Sequence, residues 1–253
     1  MDSHLLLLAA VPITGFAAGF INTLAGSGSL ITLPILILLG LPANVANGTN
    51  RVGVLLQNVV AVTTFRRSGI LDSTSTPKLV LPAVVGALVG AALAVDLDET
   101  LLRRIIGVLM LAMLPLILLK PERWLDERAT GRPARLWVEV PVFFAIGVYG
   151  GFIQAGVGIF LIAAFVLGAG FNVLRANALK NLTNLLTTAA ALVVFVINDQ
   201  VDWAVGLTLA VGQAAGAWVA ARMAVKRGAP FVRWAVIALV VLSGGALLAG
   251  VRV

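Results

Sequence analysis

From Leu5 to Asn50 the chain carries no Asp, Glu, Lys or Arg, and from Val140 to Leu174 it carries none again. About 20 apolar residues already suffice to cross a bilayer, so each stretch is long enough for more than one passage through lipid. Only 11% of the 253 residues are charged and 60% are hydrophobic, against roughly a quarter charged in a soluble domain. A soluble fold is excluded, and the expected class is an all-α polytopic membrane protein.

The net charge of +7 would suggest a nucleic-acid partner in a soluble protein. Here the basic residues sit in short segments between apolar runs, which is the pattern that sets membrane orientation. The expected partner is therefore the lipid bilayer, with no nucleic acid. Cysteine is absent, which removes disulfides, thiol nucleophiles and thiolate metal sites. The single histidine, His4, is terminal. The opening Met1-Asp2-Ser3-His4 lacks the basic region of a cleavable signal, so the apolar run that follows reads as a retained first helix.

Apolar segments fall at about 5–24, 29–40, 44–65, 79–95 and 101–119, and again at about 141–155, 158–170, 175–197, 203–221 and 233–250. Between the two groups lies a polar stretch with Lys120, Arg123, Arg128, Arg132 and Arg135. Residues 1–119 are thus expected to form one transmembrane repeat, 120–138 a cytoplasmic basic linker, and 139–253 a second repeat. The halves match in sequence. Gly19-Phe20-Ile21-Asn22 corresponds to Gly151-Phe152-Ile153-Gln154, and a single register carries Gly26, Gly28, Ala46-Asn47, Phe65, Asp72 and Gly86 onto Gly156, Gly158, Ala176-Asn177, Phe195, Asp202 and Gly216.

Cytoplasmic loops collect Lys and Arg, so the loop between Arg66 and Lys78, the linker, and the loop between Arg222 and Arg233 are expected inside. The acidic loops at Asp96–Glu99 and Asn198–Asp202 are then outside. Equivalent loops fall on opposite sides, which predicts two inverted repeats of five helical segments with both termini extracytoplasmic. The second and seventh segments are too short for a hydrocarbon core of ~30 Å. The first two segments of each repeat are expected to be short or discontinuous around a glycine-rich tip, as in secondary transporters with a site at the repeat interface.

Two constellations carry candidate chemistry. The tips Gly26-Ser27-Gly28-Ser29 and Gly156-Val157-Gly158 allow close backbone approach, and each precedes a short helix whose N-terminal end favours an anion. The second constellation, with Gln57 and Asn58 further along in one half and Thr183 in the other, opens segments three and eight: Asn47, Thr49, Asn50 and Arg51, and Asn177, Lys180, Asn181 and Asn184. At helical spacing these amides and the cation share a face. Asn22 and Gln154 are lesser candidates. Every acidic residue reads as lying at a terminus, in a loop or at a segment end, so Arg51 and Lys180 have no carboxylate partner deep in the membrane. An unpaired buried cation is costly, and a mobile anion is the expected partner.

The sequence holds no paired-carboxylate acid and base, no intramembrane histidine or carboxylate, no metal cluster and no phosphate loop. No catalytic residue, metal or cofactor is expected, and an enzyme is not. The spaced glycines Gly15 and Gly19, Gly86 and Gly90, Gly147 and Gly151, and Gly212 and Gly216 read as helix-packing positions.

The run from Gly19 to Leu30 through Gly26-Ser27-Gly28, with Pro34, Leu41-Pro42 and Ala46-Asn47-Gly48-Thr49-Asn50, resembles the opening motif of the sulfite exporter TauE/SafE family. An echo at Gly151 to Asn184 extends the resemblance over nearly the whole chain. Ser29 stands where the family commonly has a third glycine. The resemblance implies a bacterial inner-membrane permease for sulfite, sulfonates or related anions, with the family's glycine tip at Gly26 and Gly28, its proline at Pro34, and its small-residue and threonine motif at Ala46 and Thr49. The expected function is a secondary transporter moving a small sulfur-containing anion, such as sulfite or sulfoacetate, by alternating access. A passive anion channel and a non-transporting scaffold are the alternatives. A proton or sodium is compatible as coupling ion, and a homodimer as assembly.

Overall fold

The computed structural model describes residues 3–71, 77–118 and 136–248. Most of the basic linker, through residue 135, and Asp72 lie outside the described residues. The described residues are helical, with no strand among them. In lipid a helix satisfies every backbone group within its own segment. The order is α1 (Ser3–Ala25), α2 (Ser29–Leu38), α3 (Ala43–Arg67), α4 (Pro77–Val95), α5 (Glu99–Leu118), α6 (Leu136–Phe152), α7 (Val157–Ala163), α8 (Val173–Ile197) and α9 (Trp203–Leu248). A π-helical turn, Ala164–Gly168, extends α7. The ninth and tenth apolar segments are joined in α9, which is broken at Gly228 (φ 72°); Pro230 follows in the sequence.

The backbone turns recur at matching positions. Left-handed residues stand at Gly26 and Gly156, at Gly40 and Gly170, and at Gly69 and Asp199. Both short second helices end at a glycine turn, after which Pro42 and Asn172 precede the long helices α3 and α8. Asn172 accepts from the Arg175 N–H at 2.8 Å, an N-cap satisfying one of the four free donors of the first turn.

Packing is exchanged between the halves. Helix α1 lies along α9, and α6 along α4. In both pairs the backbones come close because glycines face one another's neighbours: Gly15 and Gly19 meet Leu209 and Gln213, while Gly147 and Gly151 meet Ala83 and Ala87. In return Gly212 and Gly216 meet Pro12 and Phe16, while Gly86 and Gly90 meet Phe144 and Val148. This corrects one correspondence read from the sequence. Gly86 occupies the place of Gly212, one helical turn before Gly216, because the connection before α4 is four residues longer than the one before α9.

Helices α3 and α8 occupy the centre and run antiparallel. Gly48 and Arg51, early in α3, meet Phe195, late in α8, whereas Phe65, late in α3, shares a buried cluster with Val173 and Ala178, early in α8. Around them α4 and α9 turn large apolar side chains outward, including Leu81, Leu93, Leu207 and Val211. Such a surface belongs against lipid rather than water. Trp137, Trp203 and Trp234 are exposed near helix ends, as an interfacial belt requires. Among the described residues three helices, α4, α8 and the Trp203–Val232 part of α9, are long and apolar enough to cross a membrane. Helix α3 matches α8 in length at 25 residues but interrupts its apolar run with Asn47, Thr49, Asn50, Arg51, Gln57 and Asn58, all buried.

Candidate functional site

The two tips touch. Helix α1 ends where Gly26 turns left-handed at φ 79° and its N–H returns to the Asn22 carbonyl at 2.8 Å. The Gly158 N–H then reaches the Gly26 carbonyl at 3.3 Å, and a Cβ on either glycine would overlap the other's Cα. Only residues without side chains permit this crossing. The Gly28 N–H donates to Asn22 Oδ1 at 3.3 Å, so Asn22 ties the start of α2 back to α1. Ser27 is partly buried and its carbonyl accepts from Leu30.

Both predicted cations are fully buried, and each reaches across to the other half. Arg51 donates to the Gly150 carbonyl at 3.2 Å and the Gly151 carbonyl at 2.5 Å, at the end of α6. It also reaches Asn47 Oδ1 at 3.3 Å and lies 4.7 Å from the centre of the Phe195 ring. Asn47 in turn donates to the Phe152 carbonyl at 2.7 Å. Lys180 donates to the Asn22 and Thr23 carbonyls, at 2.7 and 2.8 Å, at the end of α1. Asn181 adds a bond to Thr23 O at 3.2 Å. The carbon stem of Lys180 runs beside Gly158, whose Cβ would come within 2.9 Å of Lys180 Cδ.

These contacts refine the expectation that the cations lack a partner. No carboxylate pairs with either among the described residues, where the salt bridge found is the exposed Arg103–Glu99 pair. Their donors rest instead on carbonyls at two helix C-termini, each end equivalent to about −0.5 elementary charge. Each such end offsets about half of one cation, and the N-terminal end of α2 at the tip adds about half a positive charge, so the balance between the tips stays positive. One acidic residue departs from the sequence reading: Glu139 lies in the first turn of α6 but is buried, with Oε2 unpartnered.

The remaining predicted residues divide into committed and free. Asn50 is held by α2, donating to Ser29 Oγ at 3.0 Å and accepting from Thr32 Oγ1 at 2.6 Å. Thr49 faces elsewhere and accepts from the Asp202 N–H at 2.9 Å, bracing the α8–α9 connection. Gln154, in a left-handed conformation at φ 60°, donates to Thr188 Oγ1, leaving its Oε1 unpartnered. Asn177 has both amide atoms buried without a partner, and Asn181 and Asn184 each have a free Oδ1. Sequence reasoning did not place Thr32 or Thr188 in the network. Thr32 lies one turn beyond Ser29 on α2, which is the signal that was available.

The model of the family described as Sulfite exporter TauE/SafE matches residues 11–247. The chain belongs to the TauE/SafE family. It is 33% identical over 229 residues to "Probable membrane transporter protein ORF9" of Sinorhizobium sp, covering 90% of this chain and 87% of that protein. It is 29% identical over 233 residues to a "Probable membrane transporter protein" of Haemophilus influenzae, covering 92% and 91%. The "Probable membrane transporter protein YfcA" of Escherichia coli K12 is 30% identical over 229 residues, covering 90% and 84%. No solved structure matches the chain. This TauE/SafE protein is a multi-pass membrane transporter, consistent with its apolar helices and lipid-facing surface.

Proposed function

We propose that this chain is a secondary transporter that moves a small sulfur-containing anion, such as sulfite or a sulfonate like sulfoacetate, across a bacterial inner membrane by alternating access. The observation that carries the reading is the pair of fully buried cations, Arg51 and Lys180, beside the Gly26–Gly158 crossing, compensated by helix-end carbonyls, Asn47 and the Phe195 ring and by no carboxylate among the described residues. The positive balance attracts an anion. Arginine offers fixed donors suited to oxyanions and lysine a point charge.

In this mechanism the anion enters between the tips and draws donors of Arg51 and Lys180 away from the carbonyls of α6 and α1. Those carbonyls belong to the opposite half in each case, so substrate binding weakens the ties between the halves. The halves then rock about the tip contact to expose the anion on the other side. The unpartnered donors of the network, the amide nitrogen of Asn177 and the Nε of Arg51, complete the anion's shell. Exchange of packing partners between α1–α9 and α6–α4, with antiparallel α3 and α8, supports inverted repeats. The basic loops favour a cytoplasmic linker with both termini outside.

Flux of sulfite and sulfoacetate into proteoliposomes, measured for the wild type and for an Arg51→Ala, Lys180→Ala double variant, tests the reading. Saturable uptake reduced by about tenfold or more is expected, since hydrogen bonds to charged groups contribute about 1.5–3 kcal/mol each. Wild-type flux in a folded double variant would refute the residue assignment, and non-saturating current would replace the transporter by a channel.

A further inference from the structure

A second polar locus lies on the seam between α3 and α9, outside the cation and tip network. Gln57 is fully buried, and neither atom of its amide has a hydrogen-bond partner. Gln213 of α9 is also buried, with Oε1 unpartnered. Gln213 lays its amide over Gly53: a Cβ there would come 2.9 Å from both Cδ and Oε1 of Gln213. Gly53 is one turn before Gln57 on the same stripe of α3 that carries Asn50. Gln57 thus stands one turn along α3 from the glycine that the Gln213 amide covers.

Membrane-buried amides left unsatisfied cost free energy, and packing symmetry does not explain these two. In the second half the place of Gly53 is taken by Thr183 and that of Gln57 by Thr187. Their hydroxyls are self-satisfied on the helix backbone, Thr183 on the Leu179 carbonyl and Thr187 on the Thr183 carbonyl. By the packing register of α4 on α6, the place of Gln213 is taken by Ala87. Among the described residues the second half has no counterpart of this amide pair.

Its hydrogen-bonding character is specific. The unpartnered atoms are two acceptors, Gln57 Oε1 and Gln213 Oε1, and one donor, Gln57 Nε2. A fully deprotonated oxyanion brings only acceptors and leaves those oxygens unsatisfied. Resting on the reading of the cation pair as an anion site, we propose that Gln57 and Gln213 form a second subsite that takes a hydrogen-bond donor carried by the transported anion. The substrate class is then a small anion bearing an O–H or N–H group, which narrows the reading above toward hydrogensulfite or a hydroxylated or aminated sulfonate and away from sulfoacetate.

Two size-matched probes test this: 2-hydroxyethanesulfonate and ethanesulfonate, which differ by one hydroxyl. Their Kd values are measured by calorimetry on the purified protein and on a Gln57→Leu, Gln213→Leu variant. That variant removes unsatisfied polar atoms, so its thermal unfolding is expected at or above the wild-type temperature. The wild type is expected to prefer the hydroxylated anion by about tenfold or more, since a site that hydrogen-bonds a substrate hydroxyl strongly rejects the analogue lacking it. The variant is expected to bind both equally and to retain its affinity for ethanesulfonate. Hydrogensulfite, which carries its donor on the sulfite itself, is the third probe; glutamine-dependent binding of it, too, supports the subsite and identifies an inorganic source for the donor. Equal wild-type affinity for the two sulfonates, or a preference surviving in the variant, overturns the subsite and leaves the anion reading standing. Binding of none of the three probes overturns both.

Discussion

The two halves hold their buried cations in different hands. In the first, Arg51 spreads its guanidinium over two carbonyls of α6 and Asn47, with the Phe195 ring beside it. In the second, Lys180 concentrates its charge on two carbonyls of α1, and Asn181 assists. By sequence register Arg51 corresponds to Asn181, and Lys180 to Asn50. The charge has moved one residue along the helix while its target, the C-terminus of the other half's first helix, is the same. The fold demands a cation at each helix end, not at a given position. What differs is what remains free: Asn47 is fully engaged, while its counterpart Asn177 has neither amide atom bonded.

The largest effect is expected where the halves are most alike, at the crossing of the tips. A side chain at Gly158 would enter Gly26 and press on Lys180, and overpacking of this kind costs about 1–3 kcal/mol. Gly26 meets the same obstacle and is left-handed as well, which adds about 1–2 kcal/mol for a residue with a Cβ. Thermal unfolding in detergent should therefore rank wild type above Gly158→Val, and Gly158→Val above Gly26→Val. Two variants as stable as the wild type would mean that the tips do not cross in the membrane.

Exchanging the cations sharpens the comparison at a smaller scale. Arg51→Lys replaces a fork serving three acceptors with a compact ammonium, leaving at least one buried acceptor unsatisfied at a cost of about 1–3 kcal/mol. Lys180→Arg keeps both carbonyls in reach but puts a bulkier group beside Gly158, where crowding is the penalty. Anion flux and unfolding temperature are expected to fall in both. Further trimming of Asn47 to Ala should then do less harm in Arg51→Lys than in the wild type, because the contact between them is already lost. Strict additivity of Arg51→Lys and Asn47→Ala would break the account of Arg51 as a fork.

Much of this arrangement was legible in the residues themselves. The charge-free runs gave the membrane class, and the paired glycines gave both the tips and the helix seams, since glycine is where backbones approach. Arg51 and Lys180 stood out because a cation in an apolar run needs a partner. The identity of that partner was not legible: helix-end carbonyls are present in every sequence, and only the fold decides which helix ends beside which side chain. The register of Gly86 was misread for a similar reason, because a longer connection before α4 shifts the helix without disturbing its glycine spacing. Thr49 was grouped with the site by its neighbours along the chain, yet one residue of helix turns a side chain by about 100°, enough to aim it at Asp202 instead.

The smallest predicted change in stability is that of Asn177→Leu, set against its counterpart Asn47→Leu. Asn47→Leu removes the amide that accepts from Arg51 and donates to the Phe152 carbonyl, so two buried groups lose a partner and stability falls by about 1–3 kcal/mol. Asn177→Leu removes an amide with no partner to lose; the bond from Asn181 ends on the Asn177 backbone carbonyl at 2.8 Å and survives the change. Its unfolding temperature is expected to stay level or rise, because the desolvation penalty of an unsatisfied amide disappears. Anion flux should nevertheless fall in Asn177→Leu, since the free amide is the part of the second half left to meet the substrate. If Asn177→Leu destabilises the protein as much as Asn47→Leu does, the amide has a structural partner, and the asymmetry between the halves has to be sought in the cations alone.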